Sequence, residues 1–184
     1  MDATNLAELY DLPPLEWAPI VARLDAGFSQ APGTGGPDRH TCWLTTLNPD
    51  GSPHVTGIGA IWAEGSFWFE TGRTTRKGRN VARDPRCAIS VATHEFDLVV
   101  EGDAELVTDP AVVAARAAEW AVDWPCRVDE SGTALTAEFS APSAGPPPWH
   151  VYRIAARSMT ALATVEPGGA TRWTAPARGS AVSR

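Results

Sequence analysis

The sequence predicts a mainly β protein of the α+β class, an antiparallel barrel of about six to eight strands with a few peripheral helices. Short runs rich in β-branched and aromatic residues follow one another between residues 41 and 107 and again after residue 149. Turn residues separate these runs, and the chain contains sixteen glycines and sixteen prolines. Short strands with frequent turn signals are typical of barrels. A length of 184 residues fits one domain.

The barrel domain is flanked by two ends of different character. We assign residues 1–39 to an N-terminal helix and loop, residues 40–174 to the barrel, and residues 175–184 to a disordered tail. Within the first part, residues 14–24 carry apolar side chains at the i, i+3, i+4, i+7 spacing of an amphipathic helix. Residues 27–39 form a loop by composition.

Composition and charge exclude several classes of function. The formal net charge is −7, whereas a nucleic-acid-binding protein needs a broad basic face. No run approaches the roughly 18 apolar residues of a membrane span, and the N-terminus lacks the opening of a signal peptide. We therefore expect a cytoplasmic protein. Three cysteines at wide spacing, with no C-x-x-C pair, argue against a disulfide framework and against a zinc site.

The first three predicted strands form a meander. They cover residues 41–47, 54–62 and 67–71, and Asn48-Pro49-Asp50-Gly51 is the turn between the first two. Gly57 and Gly59 lie two positions apart in the second strand, so they are expected to face the same side. Two interpretations stay open: a bulge or tightly packed barrel wall, or a flat ligand lying against the backbone.

A basic segment follows the third strand. Residues 73–86 carry six positive charges and one negative charge, and they include Lys77, the only lysine of the chain. Thr74 or Thr75 is the expected N-cap of a short helix. Cations at a helix N-terminus oppose its macrodipole, whereas a phosphate there would bind backbone N–H groups, a threonine hydroxyl, Arg76 and Lys77. A solvated basic face is the alternative, and the reversed end charge favours the phosphate site.

The second half of the chain completes the barrel with strands and one helix. Residues 125–148 contain five prolines and are either disordered or a lid. The final strands number two or three. The predicted elements are strands over 87–92 and 96–107, a helix over 110–120 capped by Asp109, and strands over 149–154, 159–165 and 171–174.

The usual catalytic motifs are missing from the sequence. It contains no G-x-S-x-G elbow, no H-E-x-x-H and no Walker lysine motif. The histidines are scattered, which favours structural roles for them: His40, His54, His94 and His150. A phosphate site beside a strand thinned by glycines, in a chain with eight tryptophans, is the profile of a cofactor binder.

Several of these motifs occur together in a known group of proteins. The chain resembles the pyridoxamine 5'-phosphate oxidase-like split β-barrel flavoprotein superfamily, and within it the actinobacterial flavin- or deazaflavin-dependent oxidoreductases. The resemblance covers residues 40–109 well and the closing Ala170-Thr171-Arg172-Trp173 more loosely. The matching segments are Asn48-Pro49-Asp50-Gly51-Ser52-Pro53-His54-Val55-Thr56, Phe69-Glu70-Thr71, Thr75-Arg76-Lys77 with Asn80-Val81, Arg83-Asp84-Pro85-Arg86 and Gly102-Asp103-Ala104-Glu105.

The resemblance implies a cofactor phosphate on the basic helix. Arg76 and Lys77 would clamp the phosphate, and Asn80 would support that turn. Glu70 and Thr71 would match the pair next to the ribityl-phosphate.

It also implies where the ring lies and how the subunits assemble. Val55, Thr56 and Gly57 would lie against the isoalloxazine or deazaflavin ring. The superfamily members are homodimers with the cofactor at the interface, so Arg172 and Trp173 would reach the site from the other subunit.

Departures from the superfamily pattern restrict the activity. Nothing after Trp173 supplies the C-terminal arginine-histidine substrate motif, which argues against pyridoxamine phosphate oxidation. The match of Arg79-Asn80-Val81 to the deazaflavin group favours coenzyme F-420 over FMN. We therefore expect a dimeric oxidoreductase that transfers hydride to a small organic substrate. The alternatives are an FMN-dependent oxidase-like protein and a carrier that holds F-420, FMN or heme without turnover. Candidate proton donors are Tyr152, His54 or a water.

Overall fold

The computed structural model describes residues 1–27 and 40–176. The predicted loop over 27–39, beyond its first residue, and the predicted tail over 175–184, beyond its first two, lie outside the described residues. Eleven strands and three α-helices occur in the described part. In chain order they are β1 (Asp2–Asn5), α1 (Trp17–Asp25), β2 (Cys42–Leu47), β3 (Pro53–Ile58), β4 (Ala60–Ala63), β5 (Ser66–Thr71), α2 (Arg76–Arg83), β6 (Arg86–Ala92), β7 (Phe96–Val107), α3 (Pro110–Trp120), β8 (Arg127–Val128), β9 (Leu135–Thr136), β10 (His150–Ala163) and β11 (Ala170–Thr174).

Nine of the strands form one antiparallel sheet in the order β1-β11-β10-β7-β6-β2-β3, with β4 and β5 attached through β10. β3 runs directly into β4 across Gly59. The strands β4, β5, β10, β7, β6, β2 and β3 therefore follow one another as neighbours in a ring. The ring closes between β3 and β4 through the covalent chain and not through hydrogen bonds between strands. This confirms the predicted mainly antiparallel β architecture with few helices.

β10 is the strand on which the barrel is organised. Its first residues pair with β5, its last residues pair with β11, and β7 pairs along its whole length. A register shift between Ala156 and Ser158 lets one strand serve these different neighbours. Of the two or three final strands that the sequence left open, the structure has two, because a bulge and not a turn lies between the runs over 149–154 and 159–165.

Two apolar clusters hold the fold together. The larger fills the barrel and includes Leu44, Phe69, Ile89 and Ile154. The smaller lies outside the barrel, where α3 and the segment before β10 pack against Trp68. Burial of this apolar surface is the main stabilising contribution to such a fold.

The proline-rich segment over 125–148 is part of the second cluster. It contains the small hairpin of β8 and β9, and Leu135 pairs with Trp149 through two backbone hydrogen bonds. Leu135 and Ala144 are fully buried. Of the two interpretations left open by the sequence, the structure supports a packed cover and not a disordered loop.

The N-terminus adds a strand that the sequence did not predict. Residues Asp2–Asn5 pair with β11, and Leu6 continues the contact by donating to the carbonyl of Ala170. No helix among the described residues is long and apolar enough to span a membrane.

Candidate functional site

The start of α2 is fixed by a threonine cap. The Thr75 hydroxyl accepts a hydrogen bond from Gly78 N at 3.1 Å and donates to Gly72 O at 2.8 Å. Thr71 lies 2.9 Å away, hydroxyl to hydroxyl. Of the two predicted caps, Thr75 is therefore the one used. The first N–H groups of a helix have no acceptor within the helix, so this end is suited to an anion.

Lys77 points inward from the first turn of α2. Its side chain is 2% exposed, and its ammonium donates a hydrogen bond to the carbonyl of Ser143. Burial lowers the pKa of Lys77, and the nearby carboxyl of Glu70 opposes that shift. A buried ammonium requires acceptors, because removing the charge from water is costly unless it is paired.

Glu70 is the acidic neighbour of this ammonium. Its Oε2 atom is buried and has no hydrogen-bond partner among the described residues. Burial raises the pKa of Glu70 to about 8, although the charge of Lys77 lowers it. At neutral pH this carboxyl is therefore largely uncharged, so it does not repel an anion bound beside Lys77.

A cover segment, residues 141–148, lies over the start of α2. Gly72 N donates to Ala144 O at 3.0 Å, and the indole of Trp149 holds Gly145 O at 2.8 Å. A Cβ at Gly72 would stand 3.0 Å from Ala144 O, so a larger residue there would push the cover away. The carbonyl oxygen of Ser143 thus occupies the Lys77 ammonium, one of the donors at which the sequence placed a phosphate.

The arginines of α2 lie on its other side. Arg76, Arg79 and Arg83 are exposed and line a groove of about 640 Å³ together with the 48–50 turn. The side chains of Arg79 and Arg83 donate to backbone carbonyls of Thr74 and Leu47. Consecutive helical residues point about 100° apart, so the structure does not bring Arg76 and Lys77 together. Their joint action on one phosphate stays a prediction.

Asn80 ties α2 to the barrel from the buried side. Its amide donates to Thr46 Oγ1 at 3.1 Å and to Asn48 Oδ1 at 3.4 Å. These bonds join α2 to the end of β2 and to the turn before β3. This placement is compatible with the role that the resemblance implies for Asn80, the support of the phosphate-binding turn, and that role stays a prediction.

The predicted ring-binding strand is partly open. Val55 is 55% exposed on β3 and Gly57 lies beside Trp43, which is 49% exposed. Gly59 falls between β3 and β4 and meets a different indole, that of Trp124, 3.4 Å from where its Cβ would be. Of the two interpretations left open, a flat surface shared by both glycines is not what the structure shows, because β3 ends before Gly59 and each glycine meets its own tryptophan.

The two residues expected from the other subunit differ in availability. Arg172 is exposed on β11, but Trp173 is 4% exposed and packs in the barrel core against Trp17, ring centroids 5.1 Å apart. The expectation that Trp173 reaches a partner's site was wrong, because alternation along a strand turns every second side chain into the core.

The candidate proton donors lie near α2 and β5. Burial and the charges of Arg76 and Lys77 lower the pKa of His54, so its imidazole is neutral near pH 7. Tyr152 stacks on Phe69 at 5.1 Å between ring centroids, and burial raises its pKa. His150, opposite Thr71 in the sheet, has a buried Nδ1 with no hydrogen-bond partner in the described chain.

Neither the contact of Ser143 with Lys77 nor the position of the cover segment was predicted from the sequence. A contact between residues 66 positions apart has no local signal in the sequence. Among the described residues, no group of three or more His, Cys, Asp or Glu could hold a metal ion.

Solved structures that share this fold are of proteins with different descriptions. The chain superposes on a pyridoxamine 5'-phosphate oxidase-related, FMN-binding protein from Nostoc punctiforme with a TM-score of 0.59, at 16% identity over 92% of this chain and 96% of that one. PhzG from Burkholderia lata gives 0.57 at 16% identity over 92% and 91%, in a complex with tetrahydrophenazine-1-carboxylic acid. A heme binding protein from Mycobacterium smegmatis gives 0.56 at 16% identity over 86% and 59%.

The sequence itself gives the family assignment. No curated protein matches the chain. The family profile described as pyridoxamine 5'-phosphate oxidase, however, matches residues 36–145, more than half of the chain. Together with the split-barrel architecture, this match confirms the resemblance stated from the motifs and the predicted fold class. The chain belongs to the pyridoxamine 5'-phosphate oxidase family of flavin-binding split-barrel proteins.

Proposed function

We propose that this protein is a homodimeric oxidoreductase that holds the phosphate of a flavin or deazaflavin at the start of α2. The observation that carries the proposal is the buried ammonium of Lys77 beside the Thr75 cap. A lone lysine removed from water at a helix N-terminus is a costly arrangement, which an anion bound there would offset.

The residues present fit such a phosphate in their chemistry. Lys77 supplies a cation, Thr75 a hydroxyl, and the first turn of α2 its backbone N–H groups. Glu70 is compatible because its raised pKa leaves it largely uncharged at pH 7. The carbonyl of Ser143 bonds the ammonium at present, so phosphate binding would exchange this acceptor and displace part of the cover. Arg76 would contribute from the rim.

The ring would lie against the exposed part of β3. Val55, Thr56 and Gly57 offer backbone groups and a surface without bulky side chains. Across the sheet, this outer face continues through the exposed side chains of Trp43, Val99 and Leu162, each at least 39% exposed. Asp97 and Glu101 lie beside Val99 on this face, so it is mixed and not purely apolar. Burial of its exposed apolar side chains against a second copy of the chain would support a homodimer with the ring at its interface.

The cofactor and the protein would have separate roles at this site. When bound, the cofactor supplies the hydride chemistry. The protein binds the phosphate through Lys77 and Thr75, orients the ring along β3, and excludes water with the cover and the partner subunit. Two side chains near Lys77 could hold or release a proton: His54, which is neutral near pH 7, and Glu70, whose pKa is raised to about 8.

The phosphate site is tested by fluorescence titration with coenzyme F-420 and with FMN. We expect Lys77→Ala to weaken binding by about 1.5–3 kcal/mol, because a charge-assisted contact is lost. Arg79→Ala is the matched control, since it removes one positive charge from the outward side of α2. Equal affinity of Lys77→Ala and wild type for both cofactors would contradict the proposed phosphate site at Lys77. The same titration ranks F-420, which we favour, against FMN.

A cofactor carrier without turnover is the second candidate. Apart from His54 and Glu70, the site offers few groups for acid-base catalysis among the described residues, and one neighbour of this fold is a heme binding protein. The two functions differ in turnover. Oxidation of reduced F-420, or of NAD(P)H with FMN, in the presence of an enone or nitro acceptor supports the enzyme. Tight binding of F-420, FMN or heme with no turnover over the acceptor panel supports the carrier.

A further inference from the structure

A second cavity lies away from α2, between the end of α1, β4 and the end of α3. It is an open cleft of about 310 Å³, near the lower end of the size range of small-molecule sites. None of the residues that define the proposed phosphate site line it. Three tryptophans and three carboxylic acids stand out in its lining, namely Trp62, Trp120, Trp124, Asp25, Glu119 and Asp123.

The aromatic walls are held in place by their own hydrogen bonds. The indole N–H of Trp62 donates to Asp25 Oδ1 at 2.9 Å, and that of Trp120 donates to Gly59 O at 3.3 Å. Trp62 is further supported by edge contacts with Trp17 and Phe67. Trp124 lies against Gly59, where no side chain pushes it out. The rings are therefore ordered before any ligand arrives, which lowers the entropic cost of binding.

The charge of the cleft is negative. Asp25, Glu119 and Asp123 line it, and no lysine, arginine or histidine does so within the described part of the chain. The guanidinium of Arg23 donates to the carbonyl of Gly27 in the lining at 2.8 Å and pairs with Glu95 at 3.2 Å. The guanidinium of Arg116 is buried behind the wall, where it pairs with Glu119 at 3.0 Å and Glu64 at 3.3 Å and stacks over Trp68. The charge of Arg116 is matched by Glu64 and by Glu119, which itself lines the cleft, so the negative charge left over in the lining is that of Asp25 and Asp123.

Aromatic faces with carboxylates at their edge have a definite preference. The negative face of an indole attracts cations, and it favours alkylated ammonium groups, which shed water easily. An anion would meet three carboxylates, and a neutral apolar ligand would leave the charge of Asp123 without a counter-ion among the described residues.

From this arrangement we propose that the cleft binds a small organic cation, an alkylated or quaternary ammonium, against Trp62 and Trp124, with the buried Trp120 behind them and Asp123 and Glu119 at its rim. This site is separate from the phosphate site and does not rest on the proposed function.

The test uses two ligands of equal shape and different charge. Choline and 3,3-dimethyl-1-butanol are titrated into the full chain labelled with ¹⁵N at its tryptophan indoles. We expect choline to shift the N–H signals of Trp62, Trp120 and Trp124 in a saturable manner. The neutral alcohol should bind roughly tenfold more weakly, because it lacks the cation–π attraction. Equal affinities for the two ligands, or no saturable shift with choline, would overturn the proposal.

A pair of variants locates the binding. Asp123→Asn removes a charge from the rim, whereas Glu130→Gln removes one from an exposed position outside the cleft. Both side chains are exposed, so both variants should fold. We expect Asp123→Asn to weaken choline binding about threefold at low salt and Glu130→Gln to leave it unchanged. Equal effects of the two variants would show only a general response to net charge and would contradict a site in this cleft.

Discussion

Both faces of helix α2 carry basic residues, but one face is buried and the other is exposed to solvent. Lys77, Gly78 and Asn80 are buried on one face, whereas Arg76 and Arg79 are exposed on the other. The sequence allowed two interpretations of the charge cluster, a phosphate site or a solvated helix face. The structure shows a solvated basic face on one side of the helix and a buried ammonium on the other, at which the phosphate site stays a proposal. Adjacent residues of a motif can therefore have unrelated roles, because the helical rotation separates them.

The two faces also differ in what their charges cost. The exposed arginines keep their hydration, and interactions between exposed charges contribute little to stability. The ammonium of Lys77 has lost most of its water and depends on the hydrogen bond to Ser143 O. We therefore expect changes on the buried face to have large effects and equivalent changes on the exposed face to have small ones.

The largest effect is expected at the glycine next to the lysine. A Cβ at Gly78 would stand 2.3 Å from the carbonyl oxygen of Gly72, so Gly78→Ala must displace either α2 or the turn before it. We expect a loss of about 3 kcal/mol in the free energy of unfolding, measured by urea denaturation. Gly57→Ala is the control, since its Cβ would make ordinary contacts at 3.5 Å or more. Similar losses in both variants would show that the close packing of α2 is not responsible.

An effect of intermediate size is expected from the pH dependence of Glu70. Its folded-state pKa of about 8 lies above the ordinary value of 4.5. Between these values the folded chain holds a proton that the unfolded chain has released, so stability falls as pH rises through this window. We expect the wild type to lose on the order of 2 to 3 kcal/mol from pH 5 to pH 7 through this group.

Glu70→Gln isolates that contribution. It removes the titrating carboxyl and keeps its shape, so the difference between variant and wild type should change steadily between pH 5 and pH 8. The lowered pKa values of His54 and His150 act in both proteins and cancel in this difference. A difference that is constant with pH would show that Glu70 is ionised in the folded protein.

Local chemistry explains why part of this site was predictable. Thr75 caps α2 and Asp109 caps α3 with Pro110 behind it, and both signals lie within three residues of the helix that they start. The strand pattern and the basic cluster are local in the same sense.

The features that escaped prediction depend on distant partners. The strand Asp2–Asn5 exists because β11 pairs with it, and Lys77 is buried because residue 143 returns to cover it. Nothing in the sequence shows that Trp173 is buried, but the register of β11 places its side chain in the core. Which face of α2 would be covered is decided by the cover segment, and no short motif encodes that choice.

The smallest effect is expected at Arg76, on the exposed face. Arg76→Gln removes a charge that keeps its water, so the free energy of unfolding should change by less than about 0.5 kcal/mol. Affinity for the cofactor should fall only at low ionic strength, because salt screens an exposed charge at the rim of a site. Titrations of FMN at low and at high salt measure this directly beside Lys77→Ala. A loss as large as that of Lys77→Ala, and independent of salt, would show that Arg76 turns inward when the phosphate binds. The two residues would then form one clamp, and the contrast between the two faces would describe only the protein without its cofactor.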